Sequence, residues 1–174
     1  MIRLLLINVS FLIVLSGCTS QSYKGLTSKK VTINGSDMLY GAINREQLYF
    51  DFPDWQQIET EYNPAPDIVN QLNTKMDSIS VEIFIGTWCS DSKREVPSFF
   101  KIIDMANLRD KIDINIWAVD RNKQLANGLA QKRNIEFVPT FIFYKSNREI
   151  GRIIEMPDNS LEKDIQNIIQ SVTR

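Results

Sequence analysis

One cysteine sits where a sulfur can react. Thr87-Trp88-Cys89-Ser90-Asp91-Ser92 follows Ser80 to Gly86 (SVEIFIG), a β-branched and aromatic run that reads as a strand, and leads into Asp91 to Asn107. That second segment places Val96, Phe99, Phe100, Ile103 and Ala106 at helical spacing. A sulfur at a helix N-terminus faces unpaired backbone N–H groups and the positive end of the dipole, and both favour thiolate over thiol. Lys93 and Arg94 push the same way and Asp91 pushes back, while the Ser92 hydroxyl, three residues on, can donate a hydrogen bond to the sulfur. Cys89 and Ser92 are therefore the candidate catalytic residues.

Composition removes most competing chemistry. The chain of 174 residues has no histidine, which excludes Ser-His-Asp hydrolysis, a Cys-His protease pair and His-ligated metal. Asp51, Asp54, Glu59 and Glu61 lack the alternating loop with a central glycine that calcium uses, and read as a solvated face. Neither a metal nor a cofactor is expected. Twenty basic against 21 acidic side chains, with no long basic block, make nucleic acid an unexpected partner.

The elements that must position Cys89 alternate. Val31-Thr32-Ile33, Asn34-Gly35 and Met38-Leu39-Tyr40 carry a hairpin signature. Arg45 to Tyr62 reads as a helix-turn extension whose rings (Tyr49, Phe50, Phe52, Trp55, Tyr62) pad the edge of the core, a wall beside a ligand groove being the alternative. Asp67 to Met76 has helical spacing behind an Asp N-cap. After the strand at 80–86 and the helix at 91–107 come a strand at Ile112 to Val119 and a helix at Lys123 to Arg133. A hairpin of Thr140 to Tyr144 with Glu149 to Glu155 follows, and a helix from Asn159 to Val172 closes the chain. The order β-α-β-α-β-β-α predicts an α/β fold: a central mixed sheet flanked by helices on both faces.

The first residues bear on compartment. Arg3 precedes an apolar stretch, Leu4 to Leu15, that is broken by Asn8 and Ser10 and is too short to span a bilayer. Leu15-Ser16-Gly17-Cys18 resembles a bacterial lipobox. That resemblance implies a signal peptide of residues 1–17, cleavage before Cys18, lipidation of Cys18 and a mature protein held on a membrane it does not span. Residues 18–30 then form a polar tether, 31–64 an N-terminal extension and 65–174 the main domain. The implied place is the bacterial cell envelope, on the outer membrane facing the periplasm. An acylated Cys18 cannot pair, which leaves Cys89 as the only thiol.

Several positions, in order, resemble the thioredoxin superfamily. Trp88-Cys89-Ser90-Asp91-Ser92 is similar to its Trp-Cys-x-x-Cys site with the second cysteine replaced by Ser92. Pro97, eight residues after Cys89, stands where the family's helix carries a proline, and Glu136-Phe137-Val138-Pro139-Thr140 resembles its cis-proline loop. Glu95-x-Pro97 is closer to the membrane-anchored extracytoplasmic members. The resemblance implies a thioredoxin-like fold with an N-terminal extension, and a substrate surface made by Trp88, Val138 and Pro139, the Val138 backbone pairing with a substrate strand. The family's buried aspartate, six residues before the first cysteine, is Ile83 here, and its glycine beside the groove is replaced by Glu155-Met156-Pro157.

Ser92 cannot attack a disulfide, so a mixed disulfide on Cys89 must be released from outside. The expected activity is that of an exported monothiol thiol–disulfide oxidoreductase acting on protein or small-thiol disulfides, with an external thiol as reductant. A peptide-binding module that keeps the groove without redox chemistry is the alternative. A peroxidase is disfavoured, since Thr87 stands two residues before Cys89 and not three.

Overall fold

The computed structural model describes residues 28–33, 35–72 and 79–171. Cys18 and the segments proposed as signal peptide and most of the tether lie outside them. The described chain runs β1 (Lys29–Ile33), β2 (Ser36–Ile43), α1 (Arg45–Asp51), α2 (Asp54–Glu61), α3 (Pro66–Leu72), β3 (Ile79–Ile85), α4 (Ser90–Met105), β4 (Asp113–Ala118), α5 (Leu129–Lys132), β5 (Thr140–Lys145), β6 (Arg148–Ile154) and α6 (Leu161–Gln170).

Side-chain alternation along β3 builds two cores. Ile79, Val81, Ile83 and Ile85 pack on one face with α4 and α6, whereas Phe84 packs on the other with Trp117, Leu129, Ala130 and Ile142. The strands form one six-stranded sheet in the order β1-β2-β4-β3-β5-β6, with β3 parallel to β4 and the other pairings antiparallel. The mixed sheet flanked by helices is thus as the sequence predicts. The expected hairpin pairing is also present, with Ile33 opposite Ser36 and Asn34 itself outside the described residues, and β2 continues through Gly41–Ile43 into the central sheet beside β4. Residues 29–43 therefore add two strands to the sheet that carries Cys89, and Lys29 and Lys30, expected in the tether, belong to β1, where they pair with Tyr40 and Leu39.

Two local readings are corrected. The helix expected over 123–133 shrinks to Leu129–Lys132. The Asp120 carboxylate accepts from the backbone N–H of Asn122 and Gln124, and Lys123 (φ 56°) and Gly128 (φ 66°) hold left-handed conformations that break a helix. The acidic residues of 45–62 are not all solvated. Glu59 is largely buried, where it accepts from both Arg45 and the Tyr49 hydroxyl, and Arg45 also binds Asp104 of α4. Burial opposes the Arg45 charge, but its bonds to Asp104 and the Glu59 carboxylate outweigh that and raise its pKa above the ordinary arginine value. Of the rings, Trp55 is buried and Tyr49, Phe52 and Tyr62 pack against the core, whereas Phe50 is exposed.

One carboxylate ties α6 to the segment between α2 and α3. Glu162, buried in the first turn of α6, accepts from the Ala65 N–H at 3.0 Å and the Tyr62 hydroxyl at 2.8 Å. Burial opposes its ionisation, yet the backbone and hydroxyl donors hold its carboxyl below the usual range.

Candidate active site

Three segments build the site around the sulfur. The first is the loop at the C-terminal end of β3, where the Cys89 N–H donates to the Gly86 carbonyl at 2.9 Å and closes a tight turn. Cys89 then serves as the N-cap of α4, in extended conformation (φ −99°, ψ 127°), with Asp91 in the first turn. This is the strand-to-helix junction expected from the sequence. The first-turn amides do not hydrogen-bond the sulfur. The half-buried Cys89 thiol instead donates to the Val138 carbonyl, 3.1 Å away.

Val138 belongs to the second segment. Its bond to Pro139 is cis, both residues are buried, and the Thr140 hydroxyl donates to the Phe137 carbonyl at 2.8 Å. The third segment joins it through one backbone bond, from the Glu155 N–H to the Pro139 carbonyl at 2.7 Å. Glu155 has φ 58°, the left-handed region that favours glycine. Cys89 and Val138, 49 positions apart in sequence, thus meet in one site, with Pro139 beside them.

Ser92 and Trp88 hold the loop. The Ser92 side chain is fully buried and its oxygen accepts from the Gly86 N–H at 3.2 Å. That bond is made to the backbone; the expected donation to the Cys89 sulfur is not made. The Trp88 ring lies directly over Gly86, so close that a Cβ there would stand 2.6 Å from the nearest ring atom. Its indole N–H donates to the Val119 carbonyl at 3.3 Å, and the Arg121 guanidinium rests 5.3 Å from the ring centroid, a cation–π contact.

Four supporting residues escape the sequence reading. Gly86 gives the ring its seat, and Thr87 accepts from the Leu39 N–H at 3.1 Å, tying the cysteine loop to β2. Val119 and Arg121, past the end of β4, hold Trp88 from the other side. Only Gly86 had a legible signal, a glycine ending an apolar strand. Ile83 is fully buried in the apolar core, so no carboxylate stands at that position of β3. The neighbouring carboxylate, Glu82, belongs to the opposite face, where Arg133 at 2.5 and 2.9 Å and the Tyr144 hydroxyl at 3.0 Å bind it.

The surroundings are mostly paired charge. Arg94 bridges Asp91 at 2.8 Å and Glu95 at 2.7 Å. The Glu95 bond, opposed by partial burial and joined by Asp91, raises the Arg94 pKa above its ordinary value. Lys93 pairs with Asp54 of α2. Among the described residues no group of three His, Cys, Asp or Glu side chains is placed to hold a metal ion. Among the described residues the arrangement offers one partly exposed sulfur beside a backbone segment.

Known proteins are similar to this chain. A sequence profile described as thioredoxin matches residues 51–168. The chain is 32% identical to a thioredoxin of Malassezia sympodialis over 89 residues, 51% of this chain and 80% of that one. It is 28% identical to a thioredoxin-like protein of Acanthamoeba polyphaga mimivirus over 99 residues, 57% of this chain and 69% of that one. The fold resembles a crystal structure of a protein of unknown function from Pseudomonas aeruginosa, with TM-score 0.50, 15% identity and coverage of 75% of this chain and 86% of that one. The profile spans more than half of the sequence and includes the cysteine loop, the cis-proline loop and most of α6. This chain belongs to the thioredoxin-like family.

Proposed function

We propose that this protein is a monothiol thiol–disulfide oxidoreductase of the cell envelope, with Cys89 as its nucleophile. The observation that carries the reading is the Cys89 sulfur, 3.1 Å from the Val138 carbonyl of a cis Val138–Pro139 bond, at the N-terminus of α4. The family's likeness supports redox chemistry of this general kind.

The step is an exchange. The Cys89 thiolate attacks one sulfur of a substrate disulfide, a Cys89–substrate bond forms, and the other sulfur leaves as thiolate with the electron pair. Ser92 holds Gly86 and offers no second thiol, so a thiol from outside attacks the mixed disulfide and frees Cys89. That thiol is the substrate's own second cysteine or a small thiol, which makes the chemistry isomerase-like or deglutathionylating. Trp88 and the Val138–Pro139 backbone line the place where the substrate lies.

The same reading places the protein on the membrane through a lipid on Cys18, at the outer membrane facing the periplasm. Its support is Leu15-Ser16-Gly17-Cys18 behind a short apolar run. Incorporation of labelled palmitate by the native chain, and its loss in Cys18→Ser, tests that part; equal label in the two would refute it.

The chemistry is tested by following release of glutathione from a glutathionylated peptide with excess reduced glutathione. The wild-type protein is expected to turn over and Cys89→Ser to lose all activity. Equal rates for the two proteins would refute the oxidoreductase reading.

A further inference from the structure

The Pro139 side of the site exposes large apolar side chains. Phe137, Ile154 and Met156 are 47%, 45% and 60% exposed. The Glu155 N–H bond to the Pro139 carbonyl joins their two segments, and the neighbouring Val138 carbonyl meets the Cys89 sulfur. The cis-proline loop therefore links the patch to the sulfur.

The charges interleaved with the patch are acidic. Glu136, Glu155 and Asp158 are interleaved with these apolar residues, and none of the three carboxylates has an ion pair or side-chain hydrogen bond among the described residues. Nearby cations are engaged elsewhere: Arg94 by Asp91 and Glu95, Lys93 by Asp54 and Arg152 by Glu149. Arg121 lies on the Trp88 ring. Glu155 occupies a left-handed conformation that glycine would adopt without strain, so an anionic side chain is kept here against a backbone preference.

The surface also continues. At Pro157 it opens into a groove of about 410 Å³ between α2, α4 and the start of α6. Ile58 and Leu161 supply apolar wall, and Glu61 and Glu95 stand there with Arg94.

We propose that this face docks a basic polypeptide segment. Apolar side chains of the partner cover Phe137, Ile154 and Met156 while its lysine or arginine side chains meet Glu136, Glu155 and Asp158, which brings its disulfide to Cys89. The proposal rests on the thiol-exchange reading and names its substrate class: cationic, apolar-flanked protein segments in preference to acidic ones. Opposite charge across an interface speeds encounter and suppresses wrong partners.

The test uses the full chain with Cys18→Ser in neutral detergent, so that Cys89 is the only thiol. Two peptides of equal length carry one cysteine activated as a mixed disulfide with an arylthiol, flanked by Lys and Leu in one and by Glu and Leu in the other. Cys89 attacks the peptide sulfur, the Cys89–peptide bond forms, and the coloured arylthiolate departs with the electron pair. The lysine peptide is expected to react on the order of tenfold faster at low ionic strength, with the ratio collapsing in high salt. In Glu136→Gln/Glu155→Gln that ratio should fall severalfold, and Phe137→Ser/Met156→Ser should slow both peptides. Equal rates in the parent protein, or a ratio unmoved by the double Gln variant, would overturn the docking proposal while leaving the thiol reading intact. If Cys89 reacts with neither peptide nor with the arylthiol's own small disulfide, the thiol reading fails. Docking is then judged by anisotropy of labelled, non-activated peptides on Cys89→Ser: tighter binding of the lysine peptide upholds it, and equal or absent binding overturns it.

Discussion

Gly86→Ala should unseat Trp88, and its cost can be worked from contacts. A Cβ on residue 86 would stand 2.6, 2.8 and 3.1 Å from three atoms of the Trp88 ring, against about 3.5–4.0 Å for relaxed carbon contacts. The ring must therefore retreat by about 1 Å. That movement stretches the indole bond to Val119, already 3.3 Å long, and lifts the ring from its seat under Arg121. Overpacking costs about 1–3 kcal/mol and the hydrogen bond about 1 kcal/mol. Alanine returns about 0.4–1 kcal/mol by restricting the unfolded chain, leaving a net loss of about 2 kcal/mol. For a chain of this length that lowers Tm by about 4–8 °C. The decisive assay is a cycle of wild type, Gly86→Ala, Trp88→Ala and the double variant, followed by urea and thermal unfolding. Without the ring, Gly86→Ala should be neutral or slightly stabilising, giving a coupling of about 2 kcal/mol. Trp55 and Trp117 are buried while Trp88 is half-buried, so a change in indole emission should accompany the single variant. A cost within about 0.5 kcal/mol of zero, or the same cost with and without the ring, would refute the packing argument.

Other perturbations probe the supports of the site. Ser92→Ala leaves the Gly86 N–H without its acceptor, and urea unfolding should show a loss of about 1–3 kcal/mol, with Cys89 exchanging more slowly as the loop loosens. Arg45→Ala strands Glu59 and Asp104, both partly buried, and should cost about 3 kcal/mol, visible as a lower thermal midpoint. For Glu162 the folded carboxyl titrates below its ordinary value, so its stabilisation is full above about pH 4.3, the unfolded value, and is lost as pH falls through the folded one. Asp104 acts in the same direction, since bonds from Arg109 and Arg45 overcome the opposing effect of burial. Tm should therefore drop steeply on acidification below that point, and Glu162→Gln should flatten the drop while lowering stability at neutral pH.

What could be read from the sequence was whatever local pattern determines. The β-branched and aromatic run of β3, the apolar stripe of α4 and the hairpin signature that pairs β1 with β2 each specify their element without help from distant residues, and all three elements appear. The meeting of Cys89 with Val138 and Pro139 was legible only because the order of elements matched a known site. Contacts that depend on where a backbone happens to pass were not legible: Leu39 reaching Thr87, Val119 accepting from Trp88, or Arg45 gathering Glu59 and Asp104 from two helices. The lost helix at 123–128 has a similar origin, because apolar spacing through Leu125 competes with an Asp120 side chain that captures two backbone N–H groups. Ser92 was misread in one respect, since a buried hydroxyl answers to the nearest unpaired backbone group, here Gly86.

The central claim, that Cys89 is a working nucleophile, is tested most directly by its second-order rate with a neutral small disulfide at pH 7. The reference is an unstructured peptide bearing the sequence around Cys89, and the product is confirmed by intact mass. Reaction at least about tenfold faster than the peptide, with the adduct removed by an external thiol and free Cys89 recovered, is the predicted result. A rate equal to or below that of the peptide, or an adduct that no external thiol releases, would contradict the account.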